Sequence, residues 1–507
     1  MPVSMSISQG NEEEDQRFQP SPPAHHPSAP PHELFDISTT VDPSYVISMI
    51  RRLIPSNVQY GDQAIGSGLI CEEPKAEEVP ENGGEAEAMD STERLGELEG
   101  PDQKIDDQQG RSKVEDTWEE CGCVLWDLAA GEDHAQFMIQ NLILEVLLAN
   151  LVVSQSSRIT EISLGIIGNL ACHEATRKQI ASTNGLVKVI VEQLLLDDVP
   201  CLCEACRVLT LCLQGCEGAV WAEALQTEQM LSRIFWISEN ALNPQLIEKI
   251  VGLLLAIIES PQEVAATLLP RIMELNLPNL LIKLLAFEMS KLKEEQLPER
   301  YPVLDLILRA FEAISTMDKY SSEICLHKEL MEQLKELIEL PDKLEVSTSC
   351  VTAAVLIANM ITEATDLVSE LSMDVDFLQG LFDIFPFASD DVEAQSAIWS
   401  VIARILTVHE SQMNSSNFNI VVSILASKLD LIEDELLAHT LGHEGQNTEN
   451  ASGTKVDVRL IAMKKISDIL TRWKFSDDGE KNTSSINDCS INENVDKVLD
   501  LCQKAMR

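Results

Sequence analysis

The chain has 507 residues, 45% of them hydrophobic but only 4% aromatic, and a formal net charge of −46. That length supports an extensive core, and its Leu, Ile, Val and Ala suit close helix packing. So large an acidic excess repels phosphate, which argues against direct nucleic-acid binding and against docking on anionic membranes.

The acidity is not confined to one end. Although 22 acidic and 6 basic side chains fall in the first 110 residues, the larger share of the excess lies beyond them. Basic proteins or peptides are the electrostatically favoured partners, while the same charge also keeps a Leu-rich body soluble.

Residues 1–113 form a region of their own. PSPPAHHPSAPPHE is Pro-rich, and the stretch from Cys71 to Gly110 is acidic and nearly free of aromatics. Such a segment cannot bury enough apolar surface to offset its ordering entropy, so disorder is expected. The start, MPVSMSISQGNEEED, has neither the basic opening nor the apolar core of a signal peptide. No run of 18 apolar residues occurs, so no transmembrane helix is expected.

One amphipathic island lies in the acidic region, over 43–54. Asp42 is a good N-cap, Pro43 fits the first helical position, and Tyr45, Met49, Ile50, Leu53 and Ile54 share a face. A helix this short is marginal alone and needs a surface to rest on. Tyr45, Met49, Ile50 and Leu53 either grip a partner groove or cap an exposed end of the body that follows.

From 114 to 474 a run of aliphatic residues recurs at helical spacing. The runs end near Leu170, Leu213, Ile257, Ile314, Met360, Leu406 and Leu470. Most intervals fall within roughly 40–47 residues, the length of armadillo and HEAT units; the two longer ones, before Ile314 and before Leu470, read as repeats with inserted loops. The fold class is therefore all-α, an armadillo/HEAT-like α-solenoid following a disordered acidic region. Strand signals are nearly absent. Such stacks usually bind other proteins.

Local signals punctuate the repeats. Asn243-Pro244 and Ser260-Pro261 place a capping residue before proline, and Ser260 with Glu263 has the pattern of a capping box. Residues 389–391 precede another helix, and the polar stretch 442–455 reads as a loop. The tail, 475–507, is expected to be mostly disordered and to end in a short helix.

No catalytic constellation stands out. Cys201, Cys203, Cys206, Cys212 and Cys216 have the residue type for zinc, but on one straight helix they cannot converge on an ion. Small buried cysteines in tight helix contacts explain them better. No phosphate loop or His-Glu-x-x-His signature occurs, so no enzyme activity, cofactor or metal is expected. The thirteen cysteines, in a long chain without a leader, point to a reducing compartment. Leu144, Leu147 and Leu148, like Leu281, Leu284 and Leu285, match a Leu-x-x-Leu-Leu docking helix, although such leucines are normally core in a solenoid.

Asn169, in GIIGNLACHE, resembles the asparagine of the third armadillo helix that hydrogen-bonds an extended peptide backbone. In the same alignment only Asn359 repeats the residue type. The tryptophan that importin-like proteins place four positions earlier is replaced by Gly165 and Val355. Asn169 and Asn359 are the candidate partner-binding residues of the repeat body, and satisfying local backbone groups is the alternative role.

The segment from Val114 to Trp221 resembles the serum-amyloid-A-like, or synoviocyte-proliferation-associated, family. The features carrying the likeness are a cysteine before Trp126-Asp127, GEDHAQF with Ala135 and Phe137, the Gly-Asn-x-Ala-Cys ending at Cys172, and Trp221 after a Leu-Cys-Leu run. The resemblance implies an armadillo-like protein without known catalytic activity, located in the nucleus and/or cytoplasm and linked to cell proliferation. Trp126 and Phe137 would anchor the first helix pair, with Asp127 or Asp133 capping the turn between them. An acidic transport or chaperone adaptor for basic clients is the other functional reading.

Overall fold

The computed structural model describes residues 41–55, 106–364, 366–412, 415–434, 458–477 and 486–505. The Pro-rich stretch, most of the acidic region and the 442–455 loop lie outside the described residues. The chain divides into two units at 45/46. In the first, the described residues 41–45 hold the start of helix α1 (Pro43–Arg52), where Asp42 Oδ1 accepts the Ser44 N–H at 2.8 Å.

The second unit holds the rest of α1 and a succession of helices, with no strand among the described residues. After α2 (Asp106–Leu128), helices come in threes, a short one leading to a second and then to a third. The first three triplets are α3 (Glu132–Gln140), α4 (Ile143–Val153) and α5 (Ser157–Ala171); α6 (Glu174–Ser182), α7 (Leu186–Glu192) and α8 (Val199–Leu213); α9 (Gly218–Leu225), α10 (Glu228–Asn240) and α11 (Pro244–Ile258). Next are α12 (Gln262–Glu274), α13 (Leu277–Glu294) and α14 (Tyr301–Ser315); α15 (Ser321–Cys325), α16 (Lys328–Ile338) and α17 (Ser347–Glu363); α18 (Asp366–Ser372), α19 (Val375–Ile384) and α20 (Val392–Gln412). Three more helices follow, α21 (Ser415–Ser427), α22 (Val458–Asp477) and α23 (Ile486–Ala505).

The third helices form the spine. Starting with α2 against α5, each packs on the next through α8, α11, α14, α17 and α20 to α22. They do so because their apolar residues nearly encircle them: in α11, Leu253 to Ile258 are all buried. The second helices from α10 to α23 build a parallel row by the same rule. Every run expected from the sequence ends in one of these third helices. This is the three-helix armadillo plan of an α-solenoid.

Four local expectations change. The longer interval before Ile314 is not a loop: α13 has 18 residues and hands over to α14 through the 3₁₀ turn Pro298–Arg300. Ser260 makes no capping box, because its hydroxyl donates back to Ile257 O at 2.7 Å and α12 begins only at Gln262. Neither Asp127 nor Asp133 caps the first turn: α2 runs to Leu128, and the N-cap of α3 is Gly131. The tail carries a 20-residue helix, α23, rather than a short one; Val495, Val498 and Cys502 recur at its buried face, which seals α21 and α22. The expected 113/114 boundary lies inside α2.

Other signals act as read. Asn243 Oδ1 accepts the Leu246 N–H at 3.0 Å, and Asp391 Oδ1 accepts those of Glu393 and Ala394. Among the described residues no single helix is long and apolar enough to cross a membrane.

Candidate protein-binding face

The exposed face of the third helices is where an armadillo plan offers a partner side chains on a rigid surface. Asn169 sits on it at a knot between repeats. Its Nδ2 donates to Trp126 O of α2 at 2.8 Å, and its Oδ1 accepts Nη1 of Arg207 of α8 at 3.0 Å. Arg207 also donates to Gly165 O at 3.0 Å and to Glu204 at 2.8 Å. The glycines of GIIGN make this possible. A Cβ on Gly165 would lie 2.2 Å from the Trp126 indole, and one on Gly168 would lie 2.4 Å from the Arg207 guanidinium. Trp126, Gly165, Gly168 and Asn169 are thus one packing unit, which accounts physically for the motif singled out in the sequence. Phe137 is half-buried on α3.

Asn359 occupies the corresponding place on α17, and its Nδ2 donates to Ser315 Oγ of α14 at 3.0 Å. Both asparagines are half-buried and both tie neighbouring repeats together. Each amide group keeps hydrogen-bonding capacity beyond these contacts.

The cations of the face have intramolecular partners. Arg158 pairs with Glu119 and Glu161 at 2.7 Å, Lys249 with Glu248 at 2.9 Å, and Arg309 with Glu259 at 3.2 Å. Arg404 Nη1 donates to Ile361 O at 2.9 Å. Two carboxylates beside them, Asp305 and Glu312, have no such ion pair. Asp305 Oδ1 is buried without a hydrogen bond, and desolvation pushes its carboxyl up, with Arg309 pulling the other way. Glu312 is raised for the same first reason, with Asp391, Glu259 and Asp305 adding repulsion.

A raised carboxyl stabilises fully below its ordinary value, and that contribution is lost as pH rises through the raised one. Asp305→Asn should therefore stabilise the protein at neutral pH, by roughly 0.5–1 kcal/mol after discounting for partial exposure. The advantage should shrink as pH falls toward the ordinary carboxylate range. Denaturant midpoints of both proteins at neutral and mildly acidic pH check the sign.

Cys201, Cys203, Cys206 and Cys212 lie on the packed side of α8, while Cys216 falls beyond its end and is exposed, against the expectation of burial. Cys201 Sγ donates to Ser157 O at 3.1 Å; burial pushes the Cys203 thiol up to about 11 and the Cys212 thiol up to about 12. Thiols so disfavoured as thiolates are weak ligands and weak nucleophiles. Of the Leu-x-x-Leu-Leu leucines, Leu144, Leu147, Leu281, Leu284 and Leu285 are buried in the core and Leu148 is half-buried.

The island helix rests on the body. Val46, Met49, Ile50 and Leu53 are buried, and Leu53 O accepts both Trp118 Nε1 at 3.2 Å and Asn150 Nδ2 at 2.8 Å. Those two side chains reach from α2 and α4 and satisfy the orphan carbonyl at the end of α1. Met49, Ile50 and Leu53 therefore face the protein's own interior here, while Tyr45 is 53% exposed. The sequence carried no signal that Trp118 and Asn150 share this acceptor.

Stacked three-helix repeats, spine contacts between third helices and an open polar face define an armadillo-type α-solenoid. No protein-family model matches the chain. It is 28% identical over 226 residues to Protein saal1 of Danio rerio, covering 43% of this chain and 47% of that protein. It is 31% identical over 147 residues to Protein SAAL1 of Homo sapiens, covering 29% of this chain and 31% of that protein. The chain is similar to these proteins, and its matches span about half or less of those relatives' length. Among solved structures, an engineered protein aligns at TM-score 0.40 with 19% identity, covering 49% of this chain and 93% of that one. A designed armadillo repeat protein in complex with the peptide (KR)4 aligns at TM-score 0.39 with 18% identity, covering 49% and 96%.

Proposed function

We propose that this chain is a non-enzymatic scaffold that binds other proteins through its third-helix face, with basic segments as the preferred partners. The observation that carries the reading is the charge state of that face. Arg158, Lys249 and Arg309 are paired internally, while Asp305 and Glu312 are left short of partners. An incoming Lys or Arg would meet carboxylates whose burial raises the value of each new contact. Nucleic acid is not a partner in this reading, because the face offers phosphate no free cation among those named.

The family likeness supports a place in the nucleus and/or cytoplasm and a role in cell proliferation. The free cysteines among the described residues fit a reducing compartment. The second reading, an acidic transport or chaperone adaptor, rests on the net charge of −46. Salt separates the two.

The test is binding of purified Lys- and Arg-rich proteins to the full chain, with RNA as the control ligand. Affinity for the basic proteins should fall by about tenfold or more as salt rises from roughly 50 to roughly 500 mM if acidic shielding dominates, and by less if packed contacts dominate. Asn169→Ala with Asn359→Ala should weaken capture. RNA binding tighter than that of the basic proteins would overturn the reading.

A further inference from the structure

The third helices run parallel. Cys201 Sγ, in the first turn of α8, meets Ser157 O in the first turn of α5, and toward the other ends Arg404 of α20 meets Ile361 O of α17. The turns that lead into the third helices are therefore stacked along one edge of the second unit. Four of those turns display a large apolar side chain to solvent: Leu196 before α8, Leu242 before α11, Leu344 before α17 and Val392 at the start of α20. Leu242, Leu344 and Val392 are 82%, 66% and 72% exposed.

Single exposed leucines are ordinary on a protein surface. Recurrence at the entry to four third helices is not, and among the described residues from α8 to α20 no third helix exposes a large apolar side chain beyond its first residue. The turn before α14 departs from the pattern, because the Glu288–Arg300 pair closes it.

Three of these turns, those of Leu196, Leu344 and Val392, are acidic. Asp197, Asp342, Glu345, Asp390 and Glu393 are all exposed. The cations beside them have partners: Arg233 donates to Leu194 O, Leu196 O and Asp197 and lies 4.5 Å from the Trp236 ring, while Lys343 donates to Leu340 O. Trp236 is itself half exposed, which extends the apolar surface beside Leu196.

We propose that this edge docks an extended basic segment of a partner protein, with an aliphatic residue at about every third position and Lys or Arg between. The spacing follows from packed helices about 8–10 Å apart and an extended chain rising about 3.3 Å per residue. The charge follows from the carboxylates that flank Leu196, Leu344 and Val392. The proposal rests on the reading that basic proteins are partners, and it moves the principal contact from the third-helix face to the edge.

The test uses the full chain and labelled peptides of Lys-Lys-Leu, Lys-Lys-Gly and Glu-Glu-Leu repeats, read by fluorescence anisotropy. The Lys-Lys-Leu peptide should bind tightest, and Leu242→Ser with Leu344→Ser should weaken it by about tenfold while leaving the melting temperature nearly unchanged, as expected of exposed sites. Equal binding of Lys-Lys-Leu to wild type and variant, with loss on Asn169→Ala and Asn359→Ala, would overturn the edge proposal and leave the third-helix face as the basic site. Binding of Glu-Glu-Leu as tight as that of Lys-Lys-Leu would overturn the choice of a basic partner. If neither Lys-containing peptide binds wild type, the edge proposal falls together with the basic-partner reading beneath it.

Discussion

Truncating Glu288 to Ala is expected to cost about 3–5 kcal/mol, the range for orphaning one member of a buried ion pair. The carboxylate of Glu288 on α13 takes Nε and Nη2 of Arg300 at 2.9 and 2.7 Å, and the two residues are only 2% and 8% exposed. Desolvation pushes the Glu288 carboxyl up, and the guanidinium holds it back. Arg300 closes the 3₁₀ turn into α14 and lies 5.0 Å from the Phe287 ring, so the pair fixes the angle between the second and third helices of this repeat. Left without Glu288, Arg300 would carry an uncompensated charge inside a packed turn.

A double variant, Glu288→Leu with Arg300→Met, should recover most of that loss, because two apolar groups need no pairing. Denaturant unfolding together with hydrogen exchange at α13 and α14 measures the effect, since repeats report locally. A single-variant loss below about 1 kcal/mol would show that the turn relaxes and that water reaches Arg300. Greater stability of both single variants than of the double would reject the pairing argument itself.

The second large effect is expected at the docked α1. Leu53→Ser with Ile50→Ser removes two fully packed side chains, a loss of about 2–4 kcal/mol each at an inflexible site. The measured loss has a ceiling, however, because α1 can lift away once its docking energy is gone. Exchange protection should then vanish across α1 and fall at Trp118 and Asn150, whose shared acceptor, Leu53 O, has left. Helices from α8 onward should be unchanged. Tyr45→Ser should leave stability within about 0.5 kcal/mol, because Tyr45 is largely exposed.

The two variants together separate the roles offered for the island helix. Loss of partner capture with Tyr45→Ser alone would assign that exposed ring to a partner. Loss only when Ile50 and Leu53 are changed, with falling protection at Trp118, would assign the helix to closing the solenoid end. Unchanged protection at Trp118 and Asn150 would contradict the docked arrangement.

The sequence by itself determined the all-α class, the repeat and the identity of the spine helices. Leu170, Leu213, Ile257, Ile314, Met360, Leu406 and Leu470 mark helices that are buried almost all round, and that is a local property of side-chain spacing. Asn243 was legible as a cap for the same reason, since a cap acts within four residues. Only the tertiary structure decided what the polar groups do. Asn169 meets Arg207 across 38 residues, and Leu53 O meets Asn150 across 97, through helix crossings that no local pattern encodes. Ser260 looked like half of a capping box until the end of α11 claimed its hydroxyl. The edge of exposed leucines became visible only once parallel third helices brought turns from separate repeats side by side. Helix formation is dictated by neighbours in sequence, whereas pairing and exposure are dictated by neighbours in space, and packing chooses those.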